Sequence, residues 1–169
     1  MILIDLGSLT AYRMHTPKWA TAPTSGAGAD RSFAMNEAAV IDVSVLGGTY
    51  QHFIEYLKGP DTSAPVLSPK RFSQALNIDL QTLAEQAHVH RNTISRAPSS
   101  RGVQDFLREA LRIIKAATDL TGDLNRALFW YRTEPLSVFG YKTAERLVSE
   151  GRTDDVLRYV SSLEAGAVG

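Results

Sequence analysis

The sequence contains no cysteine among its 169 residues. Disulfide bonds, thiolate metal ligands and cysteine nucleophiles are therefore excluded, and we expect the protein to act in a reducing cytoplasm. An apolar run near the roughly 18 residues needed to cross a bilayer is also missing, which argues against a membrane protein. The opening segment, Met1–Leu6, has no basic stretch and is interrupted by Asp5, so it does not resemble a signal peptide.

The net charge is zero, because 18 basic residues balance 18 acidic ones. On its own, this balance argues against a nucleic-acid-binding protein. The charge is nevertheless uneven: residues 1–67 sum to −2, residues 68–101 to +3 and residues 102–169 to −1. A short positive segment in a neutral chain favours a compact DNA-contacting element, with a chance excess of three charges as the alternative.

Helical patterns dominate from about residue 48, and we predict an all-α protein whose N-terminal head is poorly specified. Residues 35–67 contain one short helix, in which Tyr50, Phe53, Ile54 and Leu57 follow helical spacing. Ser68 and Asp79 are expected to cap the next two helices. The predicted bounds are Ser68 to Leu76, Asp79 to about Ala87, Arg91–Arg96, and about 101–118, 123–132, 141–150 and 153–164.

Residues 83–96 have the pattern of a helix-turn-helix. Ala84 is small enough for a close helix crossing, Val89 would pin the turn to the core, and Ile94 would be the buried residue of the second helix. The segment resembles the Xre-type helix-turn-helix, in which the turn normally holds glycine. Here His88 occupies that position, and histidine tolerates positive φ better than most residues.

The second helix of this motif would present hydrogen-bonding side chains to base edges and phosphates. The predicted DNA-binding residues are Arg91, Asn92, Thr93, Ser95 and Arg96. The alternative is a three-helix packing unit that does not bind DNA. The spacing of His88 and His90 is better explained by this turn than by a metal, and we predict no metal site and no cofactor.

Residues 126–169 carry the most specific resemblance. The stretches Arg126–Trp130, Glu134–Phe139, Lys142–Val148 and Glu150–Leu157 look like the toxin-binding domain of Xre/MbcA/ParS-type antitoxins. Those antitoxins are partners of RES-domain toxins, an NAD-degrading class. The resemblance implies a non-enzymatic antitoxin that occludes the toxin's active site and represses its own operon. Phe129, Trp130 and Phe139 are expected in the domain core.

The tail from Leu163 to Gly169 consists mostly of small residues and is expected to be flexible. In the family it resembles, this end enters the toxin's substrate cleft, and a terminal carboxylate could meet an arginine there. An ordinary frayed terminus is the alternative. The predicted toxin-binding residues are Arg152, Arg158, Glu164, Ala165, Gly166, Ala167, Val168 and Gly169.

Residues 11–29 resemble the opening of a RES toxin domain itself, where Arg13 would contact the dinucleotide. No complete active site can be assembled from this fragment. Our hypothesis is that residues 1–34 are a gene-fusion remnant or a cloning artefact, and that the antitoxin proper starts near Met35.

The predicted organisation is thus a fragment (1–34), an extension (35–67), a helix-turn-helix segment (68–121) and a toxin-binding domain (122–169). The expected partners are a cognate RES-domain toxin, operator DNA and a second copy, giving a homodimer or larger hetero-oligomer. The apolar stripe of the helix at 101–118 suggests where copies could associate. A stand-alone helix-turn-helix regulator is the main alternative, and a fragmentary NAD-acting enzyme is a weaker one.

Overall fold

The computed structural model describes residues 48–58 and 66–166. These residues form eight α-helices and no β-strand, which confirms the all-α prediction for this part of the chain. A short 3-10 helix, Ser137–Phe139, follows the sixth helix. The helices are α1 (Tyr50–Lys58), α2 (Pro69–Ala75), α3 (Leu80–Gln86), α4 (Arg91–Arg96), α5 (Arg101–Thr121), α6 (Leu124–Thr133), α7 (Ala144–Ser149) and α8 (Thr153–Gly166).

Side-chain caps fix where several helices begin. Ser68 accepts a hydrogen bond from the Arg71 amide at α2, and Asp79 accepts one from the Thr82 amide at α3, as predicted. At α4 the cap is His90, whose Nδ1 lies 3.2 Å from the Asn92 amide nitrogen. Histidine is not a common N-cap, so this one was not predicted.

Two predicted boundaries were wrong. α5 continues to Thr121, three residues beyond the predicted end, and stops where Gly122 adopts a left-handed φ of +70°. α7 begins at Ala144 rather than 141, because Thr143 caps it and Tyr141 has a φ of +63° that no helix allows.

α5 is the centre of the molecule. It packs against α2, α6, α7 and α8. Its apolar stripe is buried within the same chain and comprises Val103, Phe106, Leu107, Ala110, Ile113, Ile114 and Ala117. The idea that this stripe joins two copies was therefore wrong, because the chain's own helices already cover it.

α1 belongs to the same core. Phe53 and Leu57 are fully buried, and the Tyr50 hydroxyl donates to the Leu111 carbonyl at 3.2 Å. The Ser68 amide in turn donates to the Leu57 carbonyl at 2.9 Å. The helix predicted inside the N-terminal extension is thus part of the folded unit.

The buried side chain of Gln104 fastens two loops to α5. Its Oε1 accepts from the Leu67 amide at 2.9 Å, and its Nε2 donates to the carbonyls of Leu67 and Pro98, both at 2.8 Å. A buried side-chain amide that forms all of these hydrogen bonds stabilises the fold, whereas one that leaves a polar atom without a partner lowers the stability. Gln104 therefore fixes the chain on both flanks of the α2–α4 segment.

One apolar core runs through both segments that the sequence suggested as separate domains. It includes Phe72 and Leu83 from the helix-turn-helix side, and Trp130, Leu147 and Val156 from the C-terminal side. No helix within residues 48–58 and 66–166 is both long and apolar enough to cross a membrane.

Candidate nucleic-acid and protein interfaces

In the α3–turn–α4 unit, the local conformation and packing agree with the predictions for Ala84, His88, Val89 and Ile94. Ala84 and Ile94 are buried, and Val89 packs partly against the core. His88 adopts a φ of +52°, the left-handed conformation that glycine usually provides. The turn closes with the Val89 amide donating to the Ala84 carbonyl at 3.0 Å.

α4 presents four of its five predicted DNA-contacting side chains to solvent: Arg91, Asn92, Ser95 and Arg96. Thr93 is half-buried, so its predicted full exposure was wrong. It precedes the buried Ile94 and, at about 100° per residue, lies at the edge of the buried face. The outward face of α4 combines two guanidinium groups with an amide and a hydroxyl, which suit phosphates and base edges.

The arginines of α4 differ from most of the cations that the structure describes. In the part of the chain that the structure describes, Arg91 and Arg96 form no salt bridge. Arg71, from the same positive segment, is instead used internally: it donates to the Tyr56 carbonyl at 2.7 Å and stacks on the Tyr56 ring. Arg91, Arg96 and the exposed Lys70 thus carry positive charge that no salt bridge in the described part of the chain uses.

A contact at the turn joins the helix-turn-helix to α7. The His88 Nε2 lies 2.7 Å from the Ser149 carbonyl oxygen, and the Ser149 hydroxyl donates to the Gln86 carbonyl at 2.9 Å. Beside this contact, α3 and α7 border a cleft of about 240 Å³, which Glu85, Glu145 and Arg146 help to line.

Buried polar groups lie at the back of this cleft. Burial raises the pKa of the Glu145 carboxyl, although a hydrogen bond with Gln86 and the charge of Arg132 oppose the shift. The Arg132 Nε is 3.8 Å from Glu145 Oε1, and its Nη1 donates to the Leu76 carbonyl at the end of α2. Burial and the nearby Glu145 also raise the pKa of Tyr131. This group ties α6 and α7 to the helix-turn-helix.

Two predicted toxin-binding arginines flank one carboxylate at the start of α8. Arg152 Nε lies 2.8 Å from Asp155 Oδ2, and Arg158 pairs with the other oxygen of Asp155. The hydrogen bonds from both arginines lower the Asp155 pKa. The Arg152 guanidinium also lies 5.1 Å from the centre of the Phe139 ring. Arg158 keeps 75% of its side chain exposed, so it is the more accessible of the two.

The remaining predicted toxin-binding residues lie at the end of α8. Glu164, Ala165 and Gly166 are exposed and helical. The expected flexible tail from Leu163 was therefore wrong as far as Gly166, because the helix continues through these residues. Ala167, Val168 and Gly169 lie outside the described residues, as do Arg13 and the predicted fragment 1–34.

The three aromatic residues predicted to lie in the core of the C-terminal segment have different surroundings. Trp130 is buried and Phe139 is half-buried, as expected of core residues, but Phe129 is 66% exposed. The prediction that Phe129 lies in the core was wrong, since consecutive helical residues point about 100° apart and only Trp130 faces inward.

Val138 and Tyr141 were not among the predicted site residues. They are 65% and 73% exposed, and both lie in the loop between α6 and α7. The adjacent glycine in Phe139-Gly140-Tyr141 indicates a tight turn, but the sequence alone does not reveal which of these apolar side chains would face outward.

The comparisons with protein-family models, curated proteins and solved structures gave no match to this chain.

Proposed function

We propose that this protein is a DNA-binding antitoxin that also occludes the active site of a RES-domain, NAD-degrading toxin. The observation that carries the proposal is α4, which follows a left-handed turn at His88 and exposes Arg91 and Arg96 without a carboxylate partner in residues 48–58 and 66–166. This is the arrangement by which an Xre-like recognition helix would enter the major groove.

The DNA-binding role requires more than one copy. Arg91 and Arg96 of a single chain can neutralise only about two phosphates, which gives weak and strongly salt-dependent binding. Two recognition helices separated by about one helical turn, roughly 34 Å, would read two half-sites together. We therefore propose that a dimer or a larger complex with toxin is the form that represses the operon.

The toxin-binding role depends on the resemblance of residues 126–169 to antitoxin domains. α8 supports it by placing exposed residues of both charges, Arg158 and Glu164, on the helix that leads to the C-terminal end. Insertion of residues 165–169 into the toxin's NAD pocket would block turnover sterically. On this view the antitoxin acts in the cytoplasm with its toxin and needs neither a metal nor a cofactor.

Co-expression tests the toxin-binding role. A cognate RES toxin that arrests growth is expressed together with one of three proteins. These are the full chain, a chain that ends at Glu164, and a control that carries His52→Ala at an exposed position of α1. We expect the full chain and the control to restore growth and NAD levels, and the shortened chain to fail while still folding by circular dichroism. Full protection by the shortened chain would refute the occlusion mechanism.

A reporter driven by the operon's own promoter tests the DNA-binding role and the main alternative. An antitoxin should both repress the reporter and bind toxin, whereas a stand-alone regulator would repress without forming a toxin complex. Asn92→Ala, on the exposed face of α4, should relieve repression and leave toxin binding unchanged. Unchanged repression by this variant would exclude α4 as the DNA-reading helix.

A further inference from the structure

The loop from Leu136 to Lys142 is a closed turn between α6 and α7. The Leu136 amide donates to the Lys142 carbonyl at 2.9 Å, and the Tyr141 amide donates to the Leu136 carbonyl, also at 2.9 Å. Gly140 and Tyr141 both adopt left-handed backbone conformations, with φ of +66° and +63°. The backbone therefore reverses sharply and turns the Val138 and Tyr141 side chains outward.

Tyr141 is an unusual residue for this position. A bulky side chain is rarely held at positive φ, because its Cβ then crowds the backbone, and such strain is typical of functional sites. Burial of the ring does little to offset this strain, because 73% of the residue is exposed. No hydrogen bond involves its hydroxyl within the described part of the chain. Glycine or asparagine would suit the backbone better.

Contacts with the rest of the fold nevertheless hold the loop in place. Leu136 is buried, and the Phe139 ring contacts Tyr159 edge-on with ring centres 5.9 Å apart. Arg152 covers Phe139, while Lys142 Nζ pairs with Glu150 at 2.7 Å. These contacts attach the loop to the turn between α7 and α8, so its exposed side chains are positioned in advance, which lowers the entropic cost of binding.

The charges beside the loop have a definite pattern. Glu150 is shared by Lys142 and Arg146, and Asp155 is shared by Arg152 and Arg158. The side chains of Glu150 and Asp155 are 25% and 31% exposed, whereas those of Arg146 and Arg158 are 68% and 75% exposed. Glu134 also lies near the loop, since burial and the charge of Glu134 raise the pKa of Tyr159. Four cations against three carboxylates therefore leave an excess of one positive charge around the loop.

We propose that Val138 and Tyr141, together with these cations, form a docking surface for a second protein. The partner would receive the two side chains in an apolar pocket of its own, and the rim of that pocket would carry carboxylates. Exposed tyrosine and arginine on a rigid support are the residues that most often dominate protein–protein binding energy, and the charge excess selects an acidic counterpart. This inference rests on the proposed function, under which the partner is the toxin and this loop is a second contact besides the C-terminal end.

A protein fits this surface better than a nucleic acid does. The exposed side chains of Val138 and Tyr141 offer apolar area but no charge to a phosphate backbone, whereas the arginines of α4 are exposed and have no carboxylate partner in the described ranges. The two surfaces therefore have separate roles, with phosphates bound at α4 and an acidic protein bound at the loop.

Tyr141→Asn tests the proposal, because asparagine accepts positive φ but lacks the ring. We expect its melting temperature to equal or exceed that of the wild-type protein, and its affinity for purified toxin to fall at least tenfold by calorimetry. Tyr141→Phe, which keeps the ring and the same backbone demand, should bind within about threefold of wild type. Opposite changes in stability and affinity would not arise from a purely structural role.

The outcomes separate the two hypotheses. Failure of the wild-type chain to bind toxin would refute the toxin-binding role itself. A normal wild-type complex with unchanged affinity for Tyr141→Asn would refute only the docking surface. A Tyr141→Asn variant that loses affinity for promoter DNA but not for toxin would overturn the assignment to a protein partner.

Discussion

The Nε2 atom of His88 lies 2.7 Å from the carbonyl oxygen of Ser149, at the point where the helix-turn-helix turn meets α7. The same residue therefore adopts the left-handed conformation that the turn requires and contacts the C-terminal helices. A glycine in the turn could supply only the first of these.

The two contributions of His88 can be separated by substitution. His88→Ala removes the contact with Ser149 and keeps a Cβ at positive φ, whereas His88→Gly removes both the contact and the strain. Because a left-handed conformation costs a non-glycine residue roughly 1–2 kcal/mol, we expect the glycine variant to be the more stable by about 1 kcal/mol. Urea denaturation of the two purified variants measures the difference, and an alanine variant as stable as the glycine variant would show that the turn is not strained.

The double variant Arg91→Gln/Arg96→Gln tests the DNA-contacting face without removing side-chain bulk. If both arginines contact phosphates, the slope of log affinity against log salt concentration should decrease by about 2 for each chain bound. Fluorescence anisotropy with a promoter fragment at several salt concentrations gives the slope. Arg108→Gln, at an exposed position of α5 and paired with Asp105, is the matched control and should leave the slope unchanged.

Phe53→Ala should destabilise the protein strongly, by about 3–5 kcal/mol, because it leaves a cavity where a fully buried ring had packed. The exposed neighbour His52→Ala should change stability by less than about 0.5 kcal/mol. Thermal unfolding followed by circular dichroism measures both. A small effect of Phe53→Ala would mean that α1 is not part of the folded unit.

Glu145→Gln should stabilise the protein at neutral pH. Burial raises the folded-state pKa of Glu145 above its usual 4.5, so the native state holds the proton more tightly than the unfolded state does. The free energy of unfolding of the wild-type protein should therefore decrease as pH rises from about 4.5 to that folded-state pKa, and the glutamine variant should lack this decrease. Urea denaturation of both proteins between pH 4 and pH 8 gives the difference. A variant less stable than wild type at pH 7 would show that the Arg132 interaction outweighs the burial cost.

The sequence predicts the local features well because their causes are local. Ser68 and Asp79 cap their helices, and His88 takes the left-handed turn position, all through contacts within a few residues. The exposed face of α4 follows for the same reason, since Ile94 alone sets which side of a six-residue helix is buried.

The contacts between distant parts of the chain could not be predicted in this way. Gln104 binds a loop 37 residues away, and His88 and Ser149 are 61 residues apart. Nothing in the spacing around Phe129 and Trp130 reveals which aromatic faces α5, because that depends on where α5 and α8 pack. The exposed loop residue Tyr141 was missed for a related reason, since an isolated aromatic residue is more often buried than displayed.

The single apolar core that extends from Phe53 to Val160 determines how the protein unfolds. Neither half retains its apolar lining without the other, so denaturation should be a single all-or-none event. Under the proposed function, binding to the promoter and binding to the toxin would then be lost at one common midpoint, and a protease that unfolds the chain from either end would abolish both in the same step.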